Sequence, residues 1–175
     1  MGDLSKHFSK REFTCKCSQG AAHDFTIDND LLNKLEKLHD LMNAHEIIIT
    51  SGYRCPAHSE NVGGYRNDSH TKGIASDIKV SFCDPDGVVR WYTSELVAEG
   101  AERVGFTGIG IIDNTAVHVD VRNNGNFVNA HWFGDERTGN DNVSTFQKGT
   151  VFESRPTTKK LSIIIDGKTI FESEV

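Results

Sequence analysis

The 175-residue sequence predicts an α+β protein. Three observations carry this. Residues 26–45 and 84–106 place apolar side chains at helical spacing. The segments between and after them alternate with period two or run apolar for a few residues. Asp-Asn and Asp-Gly pairs stand where strands must reverse.

The elements follow in chain order. In "TIDNDLLNKLEKLHDLMNAH" (26–45), Leu31, Leu32, Leu35, Leu38, Leu41 and Met42 form an apolar helical stripe, and Asp28 or Asp30 caps its start. His39 and His45 read as solvated. "EIIIT" (46–50) is a buried strand, because consecutive isoleucines favour extended backbone. "SGYRCPAHSENVGGYRND" (51–68) reads as a long polar loop, and such loops usually carry function or lack order. "GIASDIKV" (73–80) is the next strand. "DPDGVVRWYTSELVAEGAERVGF" (84–106) opens on turn residues and becomes a helix with Val88, Trp91, Tyr92, Leu96 and Val97 on its apolar side, stopped by Gly105. "TGIGII" (107–112) and "TAVHVDVR" (115–122) are strands joined by a tight turn at 113–114. Beyond 122 the chain is rich in Gly and Asn. The organisation expected is a main domain over 1–140, a linker over 141–160 and a β-hairpin over 161–175 turning at Asp166-Gly167. An isolated hairpin is marginal in water, so this one is expected to pack on the main domain, a docking partner or a second copy.

Composition narrows the function classes. Hydrophobic residues make up 37% and charged residues 25%, which suits a folded domain with its own core. The net charge of -6 is spread along the chain, which argues against a nucleic-acid partner held by bulk charge. No apolar run of about 18 residues is present, so no membrane span is expected. "MGDLSKHFSKREF" lacks the apolar segment of a secretory signal, so the protein is expected to be made in the cytoplasm with reduced thiols. The "CKC" pair, Cys15 and Cys17, offers half of a second zinc site. Cys55, Cys83 or His23 would have to complete it, and free thiols are the alternative.

Strand periodicity singles out a metal site. In "AVHVDVR", Val117, Val119 and Val121 share one face, and His118, Asp120 and Arg122 share the other. In "GIASDIKV", Ile74, Ser76, Ile78 and Val80 face the core side and Asp77 faces away. Pairing of these strands would bring Asp77 to His118, and Gly73 would let the preceding loop return His70 to both. His70, Asp77 and His118 then leave a tetrahedral Zn²⁺ with one position for water, the arrangement of catalytic rather than structural zinc.

"SGYRCPAHSENVGG" (51–64), "SHTKGIASD" (69–77) and "GIGIIDNTAVHVDVR" (108–122) occur in that order. They resemble the zinc D-alanyl-D-alanine carboxypeptidase-like enzymes and related peptidoglycan endopeptidases. "HFSKREFTCKC" (7–17) resembles the start of bacteriophage and bacterial members. The resemblance covers about residues 4–133. It implies a small antiparallel sheet backed by helices, also seen in the Hedgehog signalling domain. It implies zinc at His70, Asp77 and His118, and a substrate-holding Arg54. A base is expected three residues before the last zinc histidine, where this chain has Thr115. Asp113 is therefore the first candidate for the base and Asp120 the second, with a turn-forming role for Asp113 and a ligand-orienting role for Asp120 as the alternatives. Ser69 is expected to make a supporting hydrogen bond, and His131 to line the substrate groove or stabilise the oxyanion. The function implied is hydrolysis of peptide bonds in bacterial peptidoglycan, by a phage endolysin or virion-associated enzyme. The competing expectation is a non-catalytic module that keeps the zinc fold.

Overall fold

The computed structural model describes residues 2–122, 132–147, 160–165 and 168–174, the last two ranges by their backbone. Helix α1 spans Asn29–Leu41, shorter than the 26–45 read from periodicity. Its start is fixed by Asp28, whose carboxylate accepts the Asp30 N–H at 2.7 Å. Residues 26–28 stay extended because the Asp28 N–H donates to the Gly73 carbonyl at 3.0 Å. Gly73 sits at φ +70, and a Cβ there would collide with the Thr26 carbonyl.

Strand β1 is Glu46–Ser51, and helix α2 is Pro56–Asn61. The expected loop over 51–68 therefore contains a helical turn, started by Pro56 at a position that needs no N–H donor. Strand β2 is Ala75–Cys83. The helix expected from 84 begins only at Thr93, which caps α3 (Ser94–Val104). Asp84 is the reason. Its carboxylate accepts the N–H groups of Asp86 and Val88, and Gly87 at φ +80 closes a tight turn. The chain returns as strand β3 (Val89–Trp91) against β2. Val88 and Trp91 are consequently exposed rather than on a buried helix face, and so is Leu96, while Val97 is buried. Gly105 ends α3 at φ +89, at the position read from the sequence.

Strands β4 (Gly108–Ile111) and β5 (Ala116–Asp120) complete the hairpin. Strand β6 (Trp132–Asp135), in the Gly/Asn-rich stretch, pairs parallel with β4. The sheet order is β1-β2-β5-β4-β6, with β3 sharing the β5 edge of β2. It is antiparallel except for the β4–β6 pair among the described strands. The core lies between one sheet face and helices α1 and α3. Leu31, Leu35 and Leu38 from α1 and Val97, Ala98 and Ala101 from α3 bury against Ile78, Val80, Ile109, Val117 and Val119. Gly100 lets the helices close: a Cβ there would lie 3.0 Å from Leu38.

Toward the C-terminal end, β7 (Lys160–Ile165) and β8 (Lys168–Glu174) pair as a two-stranded antiparallel sheet. The expected Asp166-Gly167 turn and most of the expected linker lie outside the described residues. Among the described residues, no helix is long and apolar enough to cross a membrane.

Candidate metal centre

The β2–β5 register places Asp77 opposite His118. Both stand on the sheet face away from the helices, because Ile78, Val117 and Val119 take the core side. The loop before β2 brings in His70. Its Nε2 lies 3.1 Å from His118 Nδ1 and 3.2 Å from Asp77 Oδ1, and His118 Nδ1 lies 2.9 Å from Asp77 Oδ1. Three potential ligand atoms thus converge on one point.

The hydrogens of both rings are spoken for on their far sides. His70 Nδ1 donates to the Gly52 carbonyl at 2.7 Å, and His118 Nε2 donates to Asp120 Oδ2 at 3.2 Å. With those tautomers, His70 Nε2 and His118 Nδ1 aim lone pairs at the Asp77 carboxylate. Lone pairs facing a carboxylate repel, so this donor set fits a cation.

A proton competes with a metal ion for His118 Nδ1, which lies 2.9 Å from Asp77 Oδ1. Burial penalises charge on His118, but hydrogen bonds to Asp120 and Asp77 outweigh it and push its pKa up to about 9. Burial likewise opposes charge on Asp77, yet His118 and His70 hold it well below the usual carboxylate range. Asp120 is fully buried; Arg122 and then His118 keep it ionised against that burial.

The other expected residues divide into two groups. Arg54 pairs with Asp77 Oδ2 and donates from Nε to Ser51 at 2.9 Å, so its fork grips the outer oxygen of Asp77. Ser69 donates to Asp120 Oδ2 at 3.2 Å. Asp120 also takes the Arg122 guanidinium, with Nε at 2.9 Å from Oδ1. Asp113 stands apart at the β4–β5 turn. Its Oδ1 accepts the N–H groups of Thr115 and Ala116, each at 2.7 Å, and Lys79 faces its Oδ2 at 3.8 Å. His131 lies outside the described residues.

Three contributors were not read from the sequence. Gly108 pairs with Asp120 and Gly110 with His118. A Cβ at Gly108 would collide with the Asp120 carboxylate, and one at Gly110 would lie 2.8 Å from the Trp132 ring. Trp132 crosses Gly110 and walls the site, with its ring 6.1 Å from that of His118 and the Arg122 guanidinium 5.4 Å from its face. The signal was present as Gly-x-Gly in "TGIGII", in phase with the polar face of the neighbouring strand.

Residues 6–120 match the family model described as Peptidase M15. No curated protein matches the chain.

Proposed function

The chain belongs to the Peptidase M15 family, and from that membership we propose a zinc metallopeptidase that hydrolyses peptide bonds in the stems or cross-links of bacterial peptidoglycan. The observation that carries the reading is the convergence of His70 Nε2, Asp77 Oδ1 and His118 Nδ1, with both ring hydrogens committed elsewhere. In this proposal those three residues hold the zinc. When bound, the metal polarises the scissile carbonyl and brings the pKa of its water to about 7.

The remaining roles belong to the chain itself. Gly52 and Asp120 fix the two imidazole tautomers. Arg54 turns Asp77 so that Oδ1 faces the histidines, and its guanidinium lies where it can meet a substrate carboxylate or carbonyl. Trp132 closes one side of the site against water. Asp120 is fully buried and committed to His118, Arg122 and Ser69, so it acts as a positioning residue. We keep Asp113 as the candidate for proton transfer from the attacking water to the leaving amine, a role for which its carboxylate has to leave the Thr115 and Ala116 N–H groups that hold it in the turn. An Asp113→Asn enzyme that keeps its turnover removes that assignment.

The proposed setting is a bacterial cell wall attacked by a phage endolysin or virion-associated hydrolase. The phage-like stretch "HFSKREFTCKC" supports this. The deciding experiment incubates zinc-loaded protein with purified peptidoglycan and analyses the released fragments by mass. New amino termini are expected, identify the bond, and are absent with His118→Ala. Intact peptidoglycan after incubation with the zinc-loaded chain overturns the enzyme.

Thr115 at the usual base position, and Asp113 bound into its turn, favour one other reading: a zinc-fold module that binds the wall without cutting it. Sedimentation with the wall and no new termini is its signature.

A further inference from the structure

A second group of ligand-bearing side chains lies outside the site just described. Cys15, Cys17, His23 and Cys55 each offer a sulfur or nitrogen atom, and all four atoms lie within 4.8 Å of one another. We propose that these residues form a second zinc site, closed and structural, which fastens the N-terminal segment to the turn carrying Gly52 and Arg54.

Local backbone builds three of the four positions. The Gly20 N–H donates to the Cys17 carbonyl at 3.0 Å, Ala22 to Gln19 at 2.7 Å, and His23 to Gly20 at 3.3 Å. These tight turns return the His23 ring to Cys17, Nε2 to Sγ 3.0 Å. The fourth ligand is distant in sequence. The Cys55 N–H donates to Cys15 Sγ at 3.3 Å, a contact that supports a metal-bound thiolate.

The donor set decides the class of metal. Three sulfurs and one imidazole nitrogen make a Cys₃His set, a soft tetrahedral environment typical of structural zinc. Zn–S bonds of about 2.3 Å and a Zn–N bond of about 2.0 Å place donors roughly 3.5–3.8 Å apart, which fits this cluster after small rotamer changes. All four coordination positions are filled by protein, so no place is left for water or substrate. Cys15 is buried, and Cys17 and Cys55 are half-buried. Cys83 is exposed, stands on β2 and takes no part.

The site's position gives it a task. The Tyr53 N–H donates to the Phe13 carbonyl at 2.8 Å, and Gly52 packs so closely on Phe13 that a Cβ would lie 2.8 Å from the Phe13 Cβ. The same four-residue stretch supplies the carbonyl that orients His70, the guanidinium that grips Asp77, and Cys55. Zinc at the cysteines would therefore brace two supports of the catalytic histidine site without touching substrate.

The test counts metal and does not depend on turnover. Full-length protein is loaded with Zn²⁺ or Co²⁺ under reducing conditions, desalted and analysed for metal per chain. Two zinc ions are expected in the wild type, and one each in His118→Ala and Cys17→Ser. Cobalt should give a thiolate-to-metal charge-transfer band in wild type and in His118→Ala, absent in Cys17→Ser and retained in Cys83→Ser. If Cys17→Ser does not fold, the His118→Ala count and its cobalt band still decide. A His118→Ala protein with no zinc and no thiolate band overturns the site. So does a mass about two hydrogens low without reductant, the mark of a disulfide in place of metal. Inactivity on peptidoglycan with a full count of two zinc ions would sink the peptidase reading and leave this site standing.

Discussion

His118 Nε2 donates to Asp120 Oδ2 at 3.2 Å while Nδ1 of the same ring lies 2.9 Å from Asp77 Oδ1. One imidazole thus joins a buried carboxylate behind it to the ligand group in front. Removing the charge behind should weaken metal binding in front. Replacement of Asp120 by Asn is expected to raise the zinc concentration needed to reactivate chelated enzyme by about 10–100-fold. Turnover at saturating zinc should fall much less. Loss of turnover that excess zinc does not restore would make Asp120 the base and displace Asp113.

Arg54 supplies a second, separable support. Its Nε reaches Ser51 while Nη2 reaches Asp77, a span that a lysine ammonium does not reproduce. Arg54→Lys is expected to raise the zinc requirement on the order of 10-fold, and Arg54→Ala more. If the guanidinium also meets substrate, KM rises in both variants even at saturating zinc. A changed KM with an unchanged zinc requirement would show that the Asp77 pair does not orient the metal ligand.

The sequence carried some of this plainly and hid the rest. Period-two alternation around His118 and Asp77 was legible because each strand has a clear core face, Val117 and Val119 in one and Ile78 and Val80 in the other. The leucine stripe of α1 was legible for the same reason. The segment 84–93 misled, because Val88, Trp91 and Tyr92 happen to fall at helical spacing. The Asp84 carboxylate and the positive φ of Gly87 turn the chain into β3 first, and a local hydrogen-bonded turn outweighs periodicity there. Strand β6 was hidden because "HWFGD" shows no alternation; its parallel partner β4 is remote in sequence and supplies the pairing. The cysteine cluster was half visible. Cys15-x-Cys17 announces itself, but the choice of His23 and Cys55 over Cys83 depends on turns and on a long-range contact that spacing does not reveal.

The glycines opposite the site make a steric prediction. A Cβ at Gly110 would lie 2.8 Å from the Trp132 ring. The indole would have to lift from the sheet, since backbone lies on the other side. Gly110→Ala is expected to destabilise the protein by about 1–3 kcal/mol, the range for overpacking. With Trp91 replaced by Phe, Trp132 becomes the sole indole, and its emission should shift to the red as it meets water. Unchanged emission and an unchanged urea midpoint would mean that the ring accommodates the methyl group in place.

Glu36 gives the clearest pH dependence away from both clusters. Its Oε1 accepts from the Ser5 hydroxyl at 2.6 Å and the His7 N–H at 2.8 Å, and Oε2 faces His7 Nδ1 at 2.6 Å. Burial raises the cost of its charge, but these bonds outweigh it and hold its pKa below the ordinary value. A carboxylate with a depressed folded pKa contributes in full above its unfolded value. The contribution is lost as pH falls through the folded value. Glu36→Gln should therefore cost about 1–3 kcal/mol near pH 5.5, as expected for charged hydrogen bonds. Wild type and variant should then converge as the pH drops below about 4. The comparison is made by urea unfolding of wild type and variant at each pH. A gap that stays constant down to the acid limit would show that Glu36 holds the N-terminal arm by shape and not by charge.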